Sequence, residues 1–233
     1  MFETKEFDLR RRSAIVRALA ATGGSTLLPG YAQTASGGAL PTADRAGSLP
    51  LEQALARRRS VRRFGPQALK LAAVAQLLWA AQGSSGSAGR RTAPSAGALY
   101  PLELRLVASR VDGLAAGVHR YLPATHALQA STTEITASEL QHAAMGQQAV
   151  GAAAAVVVIT AVESRTAAKY GARAGPYVAF EAGAAAQNLA LQAVALGLGT
   201  VVTGGFDEAA VARVLQLPPG ERPIVLLPVG VPA

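Results

Sequence analysis

The chain has 233 residues, half of them apolar, which is enough for one well-buried domain and tight for two. It contains no cysteine, so disulfides, thiolate nucleophiles and cysteine-ligated zinc or iron–sulfur centres are excluded, and any redox chemistry needs a bound organic cofactor. The net charge of +8 is nearly all arginine, bunched at residues 10–12, 57–59, 62–63 and 90–91, and without an interleaved aromatic platform it favours small phosphorylated ligands over nucleic acid.

Taken in order, residues 1–32 carry Arg11-Arg12, a weakly apolar stretch over 14–28 broken by Arg17, and small residues ending Gly30-Tyr31-Ala32. That succession of basic, apolar and small-residue regions is what a twin-arginine export signal needs, and it predicts a periplasmic or otherwise exported protein. The alternative is a basic arm or short amphipathic helix on a cytoplasmic protein. The apolar stretch is too short to anchor stably in a membrane. Residues 33–50, rich in Gly, Ala, Ser and Pro, read as a flexible linker, and 51–233 as the catalytic domain.

Within that domain the spacing predicts helices over 51–59 and 71–82, the second with Leu71, Val74, Leu78 and Ala81 at helical period. Residues 83–97 form a Gly- and Ser-rich loop. Strands follow at 102–108 and 117–122 around an Asp112-Gly113 turn, then a short helix over 136–145 and a buried strand over 154–161. An alanine-rich helix is predicted from about 176 to 197, with proline in its first turn and glycine at its end. Strands at 200–203 and 223–229 flank a helix over 207–217 that Asp207 can cap. The mixture is α+β, without the regular alternation of a doubly wound fold. The three histidines, His119, His126 and His142, have no metal-binding spacing, and no metal site is expected.

Three segments carry candidate chemistry. In Arg57-Arg58-Arg59-Ser60-Val61-Arg62-Arg63-Phe64, a guanidinium can grip a phosphate by two parallel charge-assisted hydrogen bonds, a hydroxyl two residues later adds a donor, and a further arginine reaches another part of the same ligand. By itself such a run is more often a solvated helix end. Arg91-Thr92-Ala93-Pro94-Ser95-Ala96-Gly97-Ala98-Leu99-Tyr100-Pro101-Leu102-Glu103 and Gly197-Leu198-Gly199-Thr200-Val201-Val202-Thr203-Gly204-Gly205-Phe206-Asp207 are small-residue loops beside strands, where bare backbone can lie against a flat ligand.

These segments, in this order and with Gln187-Asn188-Leu189 between the last two, resemble the nitroreductase family over 51–231. Ala93 to Glu103 is similar in particular to the SagB-type dehydrogenases. The resemblance implies a nitroreductase-like α+β fold, with a central mainly antiparallel sheet flanked by helices and FMN at a homodimer interface. It implies that Arg58 and Ser60 bind the phosphate and ribityl end, and that Arg62 lies near the pyrimidine side of the flavin, where a fixed cation raises the reduction potential. Pro94, Ser95 and Gly97 would come from the partner subunit, and Thr203, Gly204 and Gly205 would pass beside the ring. Many members hold the phosphate with basic residues beyond the last strand. Here no arginine follows Arg222, so the phosphate would be held more weakly, or Arg59 or Arg91 would substitute.

The implied activity is hydride transfer at flavin N5 with NAD(P)H or a small-molecule substrate. The alternatives are an azoline-to-azole dehydrogenase acting on a modified peptide, and a non-catalytic flavin-binding electron carrier. Lys169-Tyr170 is similar to the lysine–tyrosine pair of azoline dehydrogenases, where a base must take the proton that accompanies the hydride. The competing reading makes them surface residues of a short helix, diverging by about 100°.

Overall fold

A computed structural model of the protein describes residues 38–86, 89–131 and 135–233. The export signal expected over 1–32 lies outside the described residues. Nine strands and seven helices are described, in the order β1 (Gly38–Ala39), α1 (Leu51–Arg57), β2 (Leu69–Lys70), α2 (Leu71–Gln82), β3 (Leu102–Ala108), β4 (Val111–Asp112), β5 (Gly117–Leu122), β6 (Ala127–Ala130), α3 (Ala137–Ala143), α4 (Gln148–Ala152), β7 (Ala155–Ala161), α5 (Ser164–Tyr170), α6 (Ala174–Ala195), β8 (Gly199–Thr200), α7 (Glu208–Val214) and β9 (Arg222–Gly230).

Seven of the strands make one antiparallel sheet in the order β1-β6-β5-β3-β7-β9-β8. Its centre is β3, β7 and β9, and the alternation of side chains along them builds two cores. Leu102, Leu104 and Leu106 of β3 join Val157 and Ile159 of β7 against α2 and α6. Val107, Val156 and Val158 face the other way, onto α3, α4 and α7. Each of the fully buried leucines contributes about 1.5–3 kcal/mol relative to an exposed one. A sheet covered by helices on both faces explains why β7 reads as an unbroken apolar run.

The long helix α6 packs its alanines inward at three- and four-residue spacing, with Ala182, Ala185, Ala186, Leu189 and Ala193 all buried. It starts two residues before Pro176. It ends in a left-handed turn at Gly197 (φ +69°), where Leu198 N–H donates to Ala193 O at 2.8 Å and Gly197 N–H to Val194 O. That pairing satisfies the terminal carbonyls and needs a residue that tolerates positive φ. Asp207 caps α7 by accepting from Ala210 N–H at 2.8 Å.

The observed chain departs from the sequence reading in three places. Part of the segment read as flexible linker belongs to the domain: β1 pairs with β6, Leu40 is buried, and Asp44 and Gln76 exchange two hydrogen bonds of 2.8 Å. His126, at φ +47°, completes the attachment. Its carbonyl accepts from Leu40 N–H, and its ring bonds Pro41 O at 2.9 Å and the Tyr121 hydroxyl at 2.8 Å. The strand expected over 200–203 is reduced to β8 plus a single bridge from Thr203 to Leu226. The strand β6 and the helix α4 have no clear sequence signal, and α5 is read only at Lys169 and Tyr170. Among the described residues no helix is long and apolar enough to cross a membrane.

Candidate functional site

The arginine-rich segment leaves α1 in an extended course along the end of the sheet. Ser60 bridges Thr200 in parallel, Val61 N–H donates to Thr200 O at 2.9 Å, and Gly65 N–H to Val231 O at 2.9 Å. Val61 presses against Gly199, while Ser60 and Arg62 are exposed. The guanidinium groups of Arg58 and Arg62 have no hydrogen bond or ion pair with any described residue. Arg59 is different. It turns back to donate to Ala56 O at 2.9 Å and Arg58 O at 2.8 Å, so its cation is engaged at the C-terminal end of α1.

The same pairing leads directly to the glycine loop. Thr203 is buried and exchanges backbone hydrogen bonds with Leu226 at 2.9 and 3.0 Å. Beyond it Gly204 and Gly205 are exposed, Gly205 O accepts from Gln147 Nε2, and the side of Gly204 where a β-carbon would stand is open space. Neither glycine N–H donates to a described residue. The loop is thus fixed at both ends and presents unused donors in its middle.

The third segment is held from several directions. Asn188 Nδ2 donates to Thr92 O at 3.2 Å, Ala96 N–H to the buried Glu181 Oε1 at 2.8 Å, and Tyr100 N–H to Ser95 Oγ at 2.8 Å. Ser95 therefore shapes its own loop. Gly97, Ala98 and Tyr100 all have positive φ, at 61°, 54° and 46°, an arrangement that side-chain-bearing residues adopt only when the surroundings enforce it. Arg91 stacks over Tyr100 at 4.7 Å and donates to Gln82 Oε1 and Leu102 O. Burial lowers its pKa, partly opposed by Glu103 and Tyr100. So placed, Arg91 supports the loop.

Gly97 is also where Lys169 and Tyr170 meet. A β-carbon on Gly97 would lie 2.9 Å from Tyr170 Oη and 3.1 Å from Lys169 Nζ. The two residues do sit at the end of a short helix, α5, but their long side chains fold toward one point, with the ammonium 5.3 Å from the Tyr170 ring centre. Divergence at the backbone does not prevent convergence at the tips. Glycine is needed here for its φ and for the room it leaves.

Below this loop lies an ionic network that the sequence did not single out. Glu103 accepts from Arg120 at 3.0 Å and pairs with Arg165 at 2.8 Å, and Arg165 also donates to Tyr100 O. Burial pushes the Glu103 carboxyl up, but the hydrogen bond from Arg165 and the charge of Arg120 outweigh it and hold it below the usual range. Arg105 pairs with Glu221, which also accepts from Thr160 Oγ1 at 2.5 Å. Among the described residues no cluster of His, Asp and Glu could hold a metal.

Within one chain, then, Ser60 and Val61 tie the arginine segment to Thr200, at the start of the stretch leading to Thr203–Gly205, and Gly97 lies against Lys169 and Tyr170. Glu181, Arg165 and Asn188 were missed as supports because each acts on a residue at least 65 positions away. No local pattern marks such a partner.

Comparison with known proteins agrees with the fold. The model of the Nitroreductase family matches residues 55–231. A protein of Methanocaldococcus jannaschii described as a nitroreductase is 39% identical over 182 residues, covering 78% of this chain and 91% of its own. A nitroreductase structure from Ralstonia eutropha is similar with 31% identity and a TM-score of 0.73, over 87% of this chain and 92% of that one. A chain of the E. coli microcin synthetase McbBCD complex with truncated pro-MccB17 bound superposes with a TM-score of 0.65 at 25% identity, over 79% and 74% of the two chains. With the mainly antiparallel sheet flanked by helices on both faces, the chain belongs to the nitroreductase family, a family of flavin-dependent oxidoreductases.

Proposed function

We propose that the protein is an FMN-dependent dehydrogenase of the SagB type, acting as a homodimer with two shared flavin sites and exchanging hydride with NAD(P)H or a small organic substrate. The carrying observation is the Ser60–Thr200 bridge. It couples two arginines that lack a counter-ion among the described residues to a loop with two backbone donors unspent among them, which suits a flat heterocycle bearing one phosphate. Bound FMN would supply a hydride donor and acceptor at N5. Arg58 and Ser60 hold the phosphate end in this reading, Arg62 stabilises negative charge at the pyrimidine edge, and the Gly204 and Gly205 amides face the ring. Pro94, Ser95 and Gly97 reach it from the other subunit.

The test is an absorbance spectrum of the purified protein, mass analysis of the released flavin, and anaerobic bleaching by NADH or NADPH. A colourless protein that takes up no FMN would sink the proposal. A flavin that no pyridine nucleotide or substrate bleaches would leave an electron carrier.

A second reading, azoline-to-azole dehydrogenation, is favoured by the convergence of Lys169 Nζ and Tyr170 Oη on Gly97. Aromatising an azoline removes one hydride and one proton. The lysine amine or the phenolate of Tyr170 accepts the proton. The likeness to a chain of a microcin synthetase complex supports this reading.

A further inference from the structure

Beside the Pro94–Gly97 loop, the start of α6 carries features that the proposed function leaves unused. Pro94, Ser95 and Ala96 face Tyr177, Phe180 and Glu181 across a cavity of about 320 Å³. Phe180 is 70% exposed, a large apolar ring left in water at the cavity wall. Tyr177 stacks edge-on with Tyr170, ring centres 5.0 Å apart, and the Arg173 guanidinium lies 5.4 Å from the centre of the Tyr177 ring. Three aromatic rings within eleven residues is a dense grouping for a chain that is 5% aromatic.

The charges at this cavity are ordered. Glu181, buried, lines it with one carboxylate oxygen bound to Ala96 N–H and the other without a hydrogen-bond partner among the described residues. Arg173 and Lys169 are exposed, and neither has an anionic partner among the described residues. A ligand lying against Tyr177 and Phe180 therefore meets an acceptor in Glu181 and, beside the Tyr177 ring, the Arg173 cation. An anionic group directed inward would be repelled by Glu181, and one directed outward is matched.

We propose that this cavity binds the organic substrate of the enzyme, and that it selects planar aromatic rings bearing an anionic group, with a ring N–H or O–H donor turned toward Glu181 and the anion toward Arg173. The identification of the ligand as substrate rests on the flavin reading; the site itself does not. Apolar ring contact supplies affinity, and the cation supplies the preference for charge.

The experiment uses isosteric pairs. Binding of 4-hydroxybenzoate and of neutral 4-hydroxybenzamide to the purified protein is measured by calorimetry, for the unmodified chain, Arg173→Gln and Phe180→Ala. The benzoate is expected to bind roughly fivefold tighter than the benzamide, the size of one exposed charge pairing. Arg173→Gln abolishes that preference, and Phe180→Ala weakens both ligands. Equal binding of the two forms, or a preference intact in Arg173→Gln, overturns the proposal. So does a Phe180→Ala protein that loses its dimer while binding both ligands unchanged, because the ring then belongs to a subunit contact. A charge preference in a protein that takes up no flavin upholds the site and defeats the flavin reading. Flavin bleached by NADH without any preference does the reverse.

Discussion

Glu181, in the second turn of the longest helix, holds the backbone N–H of Ala96 at 2.8 Å, and through it a loop with three residues in left-handed conformation. Removing the carboxylate orphans a backbone donor and opens a space at the loop's base. Glu181→Ala is expected to lower stability by about 1–3 kcal/mol in urea unfolding. Glu181→Gln, which keeps an acceptor oxygen, should lose less. Equal losses in the two variants would mean that the hydrogen bond is not what holds the loop.

Arg58 and Arg59 are neighbours with different expected contributions. Arg58→Ala should weaken FMN retention about 10- to 100-fold, the size of a lost charge-assisted contact to phosphate. Arg59→Ala should change it little, since its guanidinium is engaged by Ala56 O and Arg58 O. Flavin titration of the two apoproteins checks this, and the opposite ranking would put Arg59 in the clamp.

Lys169→Ala and Tyr170→Phe are expected to keep FMN bound while lowering turnover of a substrate that must lose a proton by about 10²–10⁴-fold, the usual contribution of a positioned base. Oxidation of NAD(P)H, which gives up only hydride, should be largely spared. Parallel loss in both assays would instead make the pair a support of the loop around Gly97.

The ion pairs of Glu103 carry a pH signature. Because its folded carboxyl is held below the usual range, its stabilisation is present above the unfolded value near pH 4.3 and is lost as pH falls through the folded value. At pH 7 Glu103→Gln should be less stable than the unmodified chain, leaving Arg165 and Arg120 without their anion. Below about pH 4 the gap should narrow. Urea unfolding of both proteins from pH 7 to pH 3 measures it, and a gap independent of pH would rule out the ionic origin.

If residues 1–32 act as a twin-arginine signal, replacing Arg11 and Arg12 with lysine should leave the protein in the cytoplasm of its host. Fractionation followed by N-terminal sequencing decides it. An uncleaved cytoplasmic protein in the unmodified strain would refute the export reading.

The sequence made the interior of the domain legible because helical and strand periods are local. The helix over 71–82 and the strand over 102–108 are found where their side-chain spacing places them, and the Asp207 cap forms as its residue type predicts. What sequence could not convey was contact across distance. Leu40 and Gly38 look like linker until His126 and Leu128, more than 80 positions later, supply their partners. Lys169 and Tyr170 diverge by helix geometry, and only the tertiary approach of Gly97 turns them to one point. Arg91 looked like a free cation until Tyr100 and Gln82 were found around it.

The order of the sheet has a consequence for the protein in a crowded solution. Its long strands, β3, β7 and β9, all lie inside, and the described strands at its two borders, β1 and β8, are two residues each. A border that short exposes few unpaired backbone groups, so another chain finds little to dock against. The apolar run of β7, which would invite stacking if it stood at a margin, is enclosed by β3 on one side and β9 on the other. The fold that positions the two loops also keeps its most aggregation-prone segment out of reach.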